Sequence, residues 1–242
     1  MTEQRRYLIT GGTSGIGAMC ARHLTGEGHK VWVTGTRDSS VRAAVQAGDA
    51  VGGSVCDVAD AATVEAAFDE AVHALGGLDG VFLNAGIDGE GLPAEQLSAE
   101  TFRRVLQVNV VGALHCAQAA YRRLDRPGVI LINSSVNAIR PERHFADYNA
   151  GKAAVVSLAQ SLALDWSDQR LTVIALCPGY FRTRMTEQYL DDPQVSAELL
   201  ARIPAGRFGR EADVGATVSF LLSGRAEFLT GALIPLAGAS NI

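Results

Sequence analysis

A tyrosine and a lysine four residues apart are the first residues in this sequence that could do chemistry together. Tyr148 and Lys152 occur in DYNAGK, residues 147–152, within a stretch predicted to be helical. Residues at positions i and i+4 share one helix face, so the two side chains are expected to lie close together. A unit charge about 4 Å away, at an effective dielectric constant near ~20, contributes roughly 4 kcal/mol. That energy would lower the pKa of a phenol from ~10 to about 7, so the pair is predicted to exchange protons near neutrality.

A glycine-rich turn near the start of the chain gives a second chemical signal. TGGTSGIG, residues 10–17, follows a strand-like run and precedes a helix-like run. Gly11, Gly15 and Gly17 permit a tight turn, close approach of the backbone to a diphosphate, and close packing of helix on strand. The N–H groups and dipole at the start of the helix favour a phosphate there. No Gly-Lys-Ser/Thr follows and no Gly-x-Ser-x-Gly occurs, so a P-loop and a serine-hydrolase elbow are excluded.

The elements that must position these residues alternate along the whole chain. Predicted strands cover 7–10, 31–34, 51–56, 78–84, 129–135, 171–176 and 231–236. Predicted helices cover 16–27, 39–47, 61–75, 98–124, 148–167 and 211–222. Residues 88–96 and 180–209 resist assignment, and because both follow strands they are expected to border a ligand site. The pattern predicts an α/β fold in one domain over 1–242, with a doubly wound parallel sheet of about seven strands and helices on both faces.

The overall composition is that of a packed globule. Hydrophobic residues make up 48% and charged residues 19%, and the net charge of −5 disfavours non-specific binding to nucleic acid or an anionic membrane. The four cysteines are far apart, form no CxxC pair and show no metal-ligand spacing with the five histidines. No signal peptide is predicted, and no apolar run approaches the ~20 residues that cross a bilayer. We expect a cytoplasmic protein without a metal, nucleic-acid or membrane partner.

Several motifs, in order, resemble those of the short-chain dehydrogenase/reductase family. Besides TGGTSGIG they are CDV at 56–58, LNAG at 83–86, NVVG at 109–112, INSS at 132–135, YNAGK at 148–152 and PGYFRT at 178–183. The resemblance covers nearly the whole chain. It implies a Rossmann-like fold and hydride exchange between a nicotinamide cofactor and a carbonyl or alcohol. Family members that reduce enoyl groups have a wider tyrosine–lysine spacing, so the spacing here favours carbonyl chemistry.

The resemblance implies four catalytic residues: Asn109, Ser135, Tyr148 and Lys152. Ser135 would hold the substrate oxygen while Tyr148 exchanges a proton with it. Lys152 would also bind the nicotinamide ribose, and Asn109 would anchor a water that links Lys152 to solvent. Ser134 competes with Ser135 for its role. The spacing to Tyr148 favours Ser135, and Ser134 should point to the other side of the strand.

The resemblance also implies a set of cofactor-binding residues: Gly11, Thr13, Ser14, Gly15, Ile16, Gly17, Thr36, Arg37, Asp57, Val58, Asn84, Ala85, Gly86, Tyr148, Lys152, Pro178, Gly179 and Thr183. The acidic position that selects NAD falls on Gly35 in this chain. Arg37 could neutralise the additional phosphate of NADP, so NADP is favoured. NAD remains the alternative, because a shift of one residue would bring the Asp38 carboxylate to the ribose, and Arg37 could simply be a solvated loop cation.

The segment VNAIRPERHF, residues 136–145, is placed at the substrate site by the resemblance. Arg140, Arg143 and His144 could bind an anionic or polyhydroxylated substrate, as could Arg182 and Arg184 in a lid over 180–209. The alternative is that these are surface charges or subunit contacts.

The resemblance further implies a homo-oligomer, a tetramer or a dimer. Three functional alternatives remain: an NAD-dependent alcohol dehydrogenase, a nicotinamide-sensing regulator without turnover, and an epimerase or dehydratase. The joint presence of Ser135, Tyr148 and Lys152 disfavours the regulator. An epimerase or dehydratase is disfavoured because such chains usually carry a further C-terminal substrate domain.

Overall fold

A parallel sheet of seven strands forms the centre of the molecule. The structure, a computed structural model, describes residues 3–242 apart from the side chain of Gln188. The strands are β1 (Arg6–Thr10), β2 (Lys30–Gly35), β3 (Gly52–Val55), β4 (Gly80–Leu83), β5 (Gly128–Asn133), β6 (Leu171–Pro178) and β7 (Leu233–Leu236). Their order is β3-β2-β1-β4-β5-β6-β7, with every pairing parallel. The order reverses between β1 and β4, which creates a crevice beyond the carboxyl ends of these strands.

Helices cover both faces of this sheet. They are α1 (Gly15–Gly26), α2 (Asp38–Gln46), α3 (Ala61–Leu75), α4 (Ala99–Leu106), α5 (Gly112–Arg123), α6 (Ala146–Asp165), α7 (Glu187–Leu190), α8 (Pro193–Ala201) and α9 (Glu211–Leu222). Short 3₁₀ turns occupy Ala94–Gln96, Val136–Ala138, Ser167–Gln169 and Glu227–Leu229. The predicted fold class, a Rossmann-like doubly wound sheet covered on both faces, is therefore confirmed.

The apolar strand residues divide between two cores, one on each face. On β5, Ile130 and Ile132 belong to the core under α3, α5 and α6, whereas Val129 and Leu131 belong to the core under α1 and α9. Successive strand residues point to opposite faces, so a strand covered on both sides must be apolar throughout. The continuous apolar run in the sequence has this physical origin.

The predicted helix over 98–124 is interrupted at its centre. Residues Gln107–Val111 form a π-helical turn between α4 and α5. The buried Asn109 lies in this turn, where its amide bonds to the main chain of Ile87 at 2.8 and 2.9 Å. Single π-helical turns are frequent at functional sites because they reorient one side chain within an otherwise regular helix. The hydrophobic pattern could not show this interruption.

The unassigned segment 180–209 contains α7 and α8. Helix α8 begins at Pro193, and the side chain of Asp192 accepts hydrogen bonds from the N–H groups of Gln194 and Val195. These are the Pro and Asp positions that typically begin a helix. The segment follows β6, so it lies beyond the carboxyl ends of the strands and is placed to cover the crevice.

Candidate active site

A cavity of about 700 Å³ occupies the crevice. Most of the predicted cofactor-binding residues line it: Gly11, Thr13, Ser14, Gly15, Ile16, Thr36, Arg37, Asp57, Val58, Asn84, Ala85, Gly86, Tyr148, Lys152, Pro178, Gly179 and Thr183. Ser135 lines it as well. The cavity thus extends from the glycine-rich turn after β1 to the start of α6.

The glycine-rich turn is closely packed. Gly11 and Gly15 have φ angles of +63° and +55°, which side chains rarely adopt. A Cβ at Gly17 would lie 2.5 Å from both the carbonyl oxygen of Gly11 and Nδ2 of Asn84. Gly17 does not line the cavity, so this predicted cofactor residue shapes the turn from behind. Residues 13–16 carry the start of α1 into the cavity, which brings N–H groups and the positive end of the helix dipole to its wall.

The amide of Asn84 holds three strand ends together. Its Nδ2 donates to the carbonyl oxygens of Thr10 and Gly11 at 3.1 and 3.2 Å, while its Oδ1 accepts from Nδ2 of Asn133 at 3.0 Å. The hydroxyl of Thr10 accepts from the N–H groups of Asn84 and Ala85. These bonds fix the ends of β1, β4 and β5 around the crevice.

Tyr148, Ser135 and Lys152 meet at the far wall of the cavity. The Nζ atom of Lys152 lies 5.6 Å from the centroid of the Tyr148 ring and donates to the carbonyl oxygen of Asn133 at 2.9 Å. The hydroxyl of Ser134 donates to the carbonyl oxygen of Lys152 at 2.7 Å, which ties β5 to α6. Ser135 instead accepts from the N–H of Asn137 at 3.1 Å, and it is the serine whose side chain influences the pKa of Tyr148.

The pKa of Tyr148 is raised, whereas the spacing to Lys152 had predicted a lowered pKa. Burial raises the pKa of Tyr148 above its usual value, and the charge of Asp88 raises it further, while the hydrogen bond with Ser135 lowers it. Burial also lowers the pKa of Lys152 to about 8. Removing a phenolate and an ammonium from water costs free energy, and at this site that cost outweighs the attraction between the two charges.

Asn109 lies outside the cavity lining. Its side-chain amide is engaged with Ile87, and its Oδ1 would lie 3.0 Å from a Cβ at Gly86. The structure therefore gives its side chain the role of holding the chain after β4 against the π-helical turn.

The end of β2 gives the cavity a basic rather than an acidic character. A Cβ at Gly35 would lie 2.7 Å from Oγ1 of Thr13, so the acidic position is closed by a hydroxyl group. Arg37 is exposed, lines the cavity and makes no side-chain hydrogen bond or ion pair with the residues that the structure describes. Asp38 forms an ion pair with Arg42 on the exposed side of α2.

The three predicted substrate residues lie outside the cavity. Arg140 donates to the carbonyl oxygens of Ser240 and Ile242 at 3.0 and 3.2 Å and so holds the C-terminal tail. Arg143 and His144 are exposed, and His144 has a φ of +68° in the loop before α6. Of the two lid arginines, Arg182 pairs with Asp191 whereas Arg184 lines the cavity. A loop's composition does not show which way its side chains point.

Other cavity residues escaped the sequence prediction: Ser40, Ile87, Asp88, Arg104, Val108, Asn133, Phe181, Met185 and Thr186. Asp88 had a usable signal, because it is a charged residue just beyond the carboxyl end of a buried strand. Arg104 had none, since it lies one turn before Val108 on a helix whose exposed face carries several charges.

Within residues 3–242, no group of three His, Cys, Asp or Glu side chains is arranged to hold a metal ion. Nor does that part of the chain contain a helix with the length and apolar character needed to span a bilayer.

Comparisons with known proteins agree with this geometry. Residues 11–238 match a family model described as enoyl-(acyl carrier protein) reductase. The chain is 36% identical to 3β-hydroxysteroid dehydrogenase 1 from Eggerthella lenta over 246 residues, which covers 98% of this chain and 94% of that protein. It therefore belongs to the short-chain dehydrogenase/reductase family.

Two solved structures extend the comparison. A 3-ketoacyl-(acyl-carrier-protein) reductase from Brucella melitensis complexed with NADH has a TM-score of 0.91 and 28% identity, covering 99% of each chain. A gluconate 5-dehydrogenase from Burkholderia cenocepacia in complex with NADP and tartrate has a TM-score of 0.90 and 30% identity, covering 99% of this chain and 96% of that one. The present chain is accordingly an NAD(P)-dependent oxidoreductase of CH–OH and C=O groups.

Proposed function

We propose that this chain transfers a hydride between NADP(H) and a ketone or secondary alcohol, with Tyr148 as general acid and base. The observation that carries the proposal is that Tyr148, Ser135 and Lys152 border the same cavity as the glycine-rich turn. The tyrosine–lysine spacing favours carbonyl chemistry over the enoyl reduction named by the family model. The related proteins are named for different substrates, so their names do not define the substrate here.

The residues present suit a nicotinamide dinucleotide. The N–H groups at the start of α1 would bind a diphosphate, and Asp57 with Val58 would border the adenine. Lys152 would bind the nicotinamide ribose and Thr183 the carboxamide. The bound nicotinamide supplies or accepts the hydride, and the chain supplies the orientation and the proton.

Tyr148 would be the proton donor in the reducing direction. Because burial raises its pKa, the phenol is protonated at neutral pH and can give its proton to an oxygen that is becoming negative. Ser135 would donate a hydrogen bond to the same oxygen. Lys152 would stabilise the phenolate left behind.

The preference for NADP rests on the end of β2. Arg37 has no partner within the described part of the chain, and a 2′-phosphate would give it one. Thr36 and Ser40 add hydroxyl donors to the same wall. The carboxylate that could oppose a phosphate, that of Asp38, is paired with Arg42 and does not line the cavity.

The proposed enzyme would work as a homo-oligomer, a tetramer or a dimer, in the cytoplasm. Leu164 and Phe228 are 78% and 104% exposed, and apolar side chains of this size favour burial against another subunit. All four cysteines are free thiols, as is usual in a reducing compartment.

A Tyr148→Phe variant tests the function. We expect kcat for ketone reduction, measured on the best substrate of a panel of ketones, to fall by about 10²–10⁴-fold, the usual contribution of a positioned acid or base. NADPH binding, followed by the fluorescence of the reduced nicotinamide, should change little. The matched control is Tyr121→Phe, which also removes one phenol hydroxyl but from a ring that packs against Trp166 outside the cavity.

Unchanged turnover in Tyr148→Phe would refute the assignment of the proton donor. Binding of NADPH by the wild-type chain without reduction of any ketone would instead support the sensing protein. If Tyr148→Phe loses NADPH binding while Tyr121→Phe retains it, the Tyr148 phenol has a role in binding the cofactor.

A further inference from the structure

Asp88 places a carboxylate in the wall of the cavity beside Tyr148. It lies five residues beyond the end of β4, in the loop that follows Gly86, and is partly buried. Both Asp88 and Tyr148 line the cavity. The loop abuts the start of α6, since a Cβ at Gly89 would lie 3.1 Å from Cβ of Tyr148.

The carboxylate is held in position from both sides. Its Oδ1 accepts from the N–H of Gly89 at 2.9 Å, and its Oδ2 accepts a longer bond, at 3.4 Å, from the hydroxyl of Tyr189 in α7. The buried carboxylate of Asp147 fixes the same loop by accepting from the N–H of Glu90 at 3.0 Å. A carboxylate has about four acceptor positions, so Asp88 retains capacity to accept hydrogen bonds from a ligand in the cavity.

The charge of Asp88 acts at the reacting end of the cleft. It raises the pKa of Tyr148 and also that of Lys152, as a nearby negative charge must. Its own pKa is raised, chiefly by burial and then by the charges of Asp147 and Glu142, although the bonds from Gly89 and Tyr189 oppose that rise.

Two of the three cavity arginines lie toward the dinucleotide end. Arg37 is at the end of β2, whereas Arg184 follows Thr183, the residue assigned to the nicotinamide carboxamide. Arg104 is three residues before Gln107, which donates to the carbonyl oxygen of Ala59 beside the predicted adenine site. Arg37 and Arg104 therefore suit the phosphates and adenosine of a dinucleotide. Beside Tyr148 lie the Lys152 ammonium, which is assigned to the nicotinamide ribose, and the Asp88 carboxylate, which has no assigned role in cofactor binding.

We propose that Asp88 is a specificity-determining residue. It favours a substrate that carries a hydroxyl or ammonium group next to the reacting carbonyl, and it excludes one that carries a carboxylate there. This inference rests on the proposed function, and it replaces the expectation of an anionic substrate that was based on Arg140, Arg143 and His144.

Two isosteric pairs of ketones test the inference with NADPH as reductant. Acetoacetamide and acetoacetate differ in the charge of one group, and hydroxyacetone and butanone differ in one hydrogen-bond donor. In the wild type we expect kcat/KM to be higher for acetoacetamide and for hydroxyacetone. In Asp88→Asn the amide-to-acid ratio should fall about tenfold, the size expected for one unit charge in a partly solvated cleft. The preference for hydroxyacetone should shrink as well.

The matched control is Glu90→Gln, which removes one negative charge two residues away. The Glu90 carboxylate accepts from the hydroxyl of Thr101 at 3.2 Å and lies outside the cavity lining, so both ratios should stay within twofold of wild type. Asp88→Ser serves as a second charge-removing variant if Asp88→Asn fails to fold, as judged by circular dichroism and NADPH binding.

Ratios in the Asp88 variants that stay within twofold of wild type would overturn the inference. So would a wild type that prefers acetoacetate. In both cases at least one ketone is still reduced, and the proposed function stands. If the wild type reduces none of the four ketones and no ketone of the wider panel, the proposed function fails, and this inference fails with it.

Discussion

The two ends of the cleft are built differently. At the dinucleotide end, the main chain of the glycine-rich turn is so closely packed that a Cβ at Gly17 would lie 2.5 Å from the carbonyl oxygen of Gly11. Around the substrate end, side chains outside the cavity lining bridge separate segments. Tyr180 and Arg202, for example, both donate to the Glu142 carboxylate, at 2.7 and 2.9 Å. Close packing of the main chain therefore fixes the shape of the dinucleotide end, whereas the orientation of long side chains fixes the shape of the substrate end.

This difference predicts how each end responds to substitution. A packed backbone has nowhere to move, so one added methyl group costs about 1–3 kcal/mol and displaces its neighbours. A bridge between partly exposed charges contributes ~1 kcal/mol or less and can rearrange. Changes at the dinucleotide end should therefore weaken cofactor binding strongly, whereas changes among the bridges should shift substrate KM modestly.

Gly17→Ala should give the largest effect. The added methyl group would meet the carbonyl oxygen of Gly11 and the Asn84 amide, which is itself bonded to Thr10 and Gly11. The turn must then move at the position where the diphosphate would bind. If the added methyl group strains the NADPH complex by ~3 kcal/mol, the dissociation constant for NADPH rises by about a hundredfold. Fluorescence titration with NADPH measures this change.

The same helix provides a control. Gly26, at the other end of α1, has no atom within 4 Å of an added Cβ, apart from its own chain neighbours and helix backbone. Gly26→Ala should leave the dissociation constant unchanged and should not lower the melting temperature, because alanine favours a helix over glycine. Equal NADPH affinities in the two variants would refute the view that space determines this end.

Much of the dinucleotide end could be predicted from the sequence, because close backbone approach requires glycine and leaves a visible pattern. Gly11, Gly15 and Asn84 all lie where the motifs indicated. Gly17 was assigned to cofactor contact, but it supports the turn from behind. The sheet itself followed from strand runs that are apolar on both faces, as on β5.

The substrate end was not predictable in the same way. Arg140 was expected near the substrate, yet it bonds to the C-terminal tail, a partner about a hundred residues away in sequence. The strand-end rule could have placed Asp88 at the crevice, although Asp88 was not predicted, but its contact with Tyr189 depends on how α7 folds over the crevice. The raised pKa of Tyr148 depends on burial, which the helical spacing of two residues does not reveal.

Arg37→Ala should give the next largest effect, confined to one cofactor. If the guanidinium binds the 2′-phosphate, a charge-assisted bond of ~2 kcal/mol is lost and the KM for NADPH rises about thirtyfold. The KM for NADH should stay within twofold, because NADH lacks that phosphate. Steady-state kinetics with both cofactors at a fixed ketone concentration measure this.

Arg42→Ala is the matched control for Arg37→Ala. It removes the same charge five residues further on, within α2, but Arg42 is paired with Asp38 and lies outside the cavity lining. It leaves Asp38 unpaired, but Asp38 does not line the cavity, so both KM values should change by less than about threefold. If Arg37→Ala retains the wild-type preference for NADPH, or raises both KM values equally, the NADP assignment is wrong.

Glu142→Gln should give the smallest effect, because it alters a bridge that lies outside the cavity lining. The Glu142 side chain is 20% exposed and its partner Arg202 is 52% exposed, so the ion pair contributes ~1 kcal/mol or less. Glutamine can still accept from Tyr180, and only the charge is lost. We expect the KM for the ketone to rise about threefold with kcat nearly unchanged, since α8 would hold the loop before Tyr148 less firmly.

Glu198→Gln is the control, because it removes a charge from α8 but leaves the bridge between Glu142 and Arg202 intact. It should change neither KM nor kcat. A rise in KM of a hundredfold would mean that the bridges, like the glycine turn, are rigidly determined, and the contrast between the two ends would not hold.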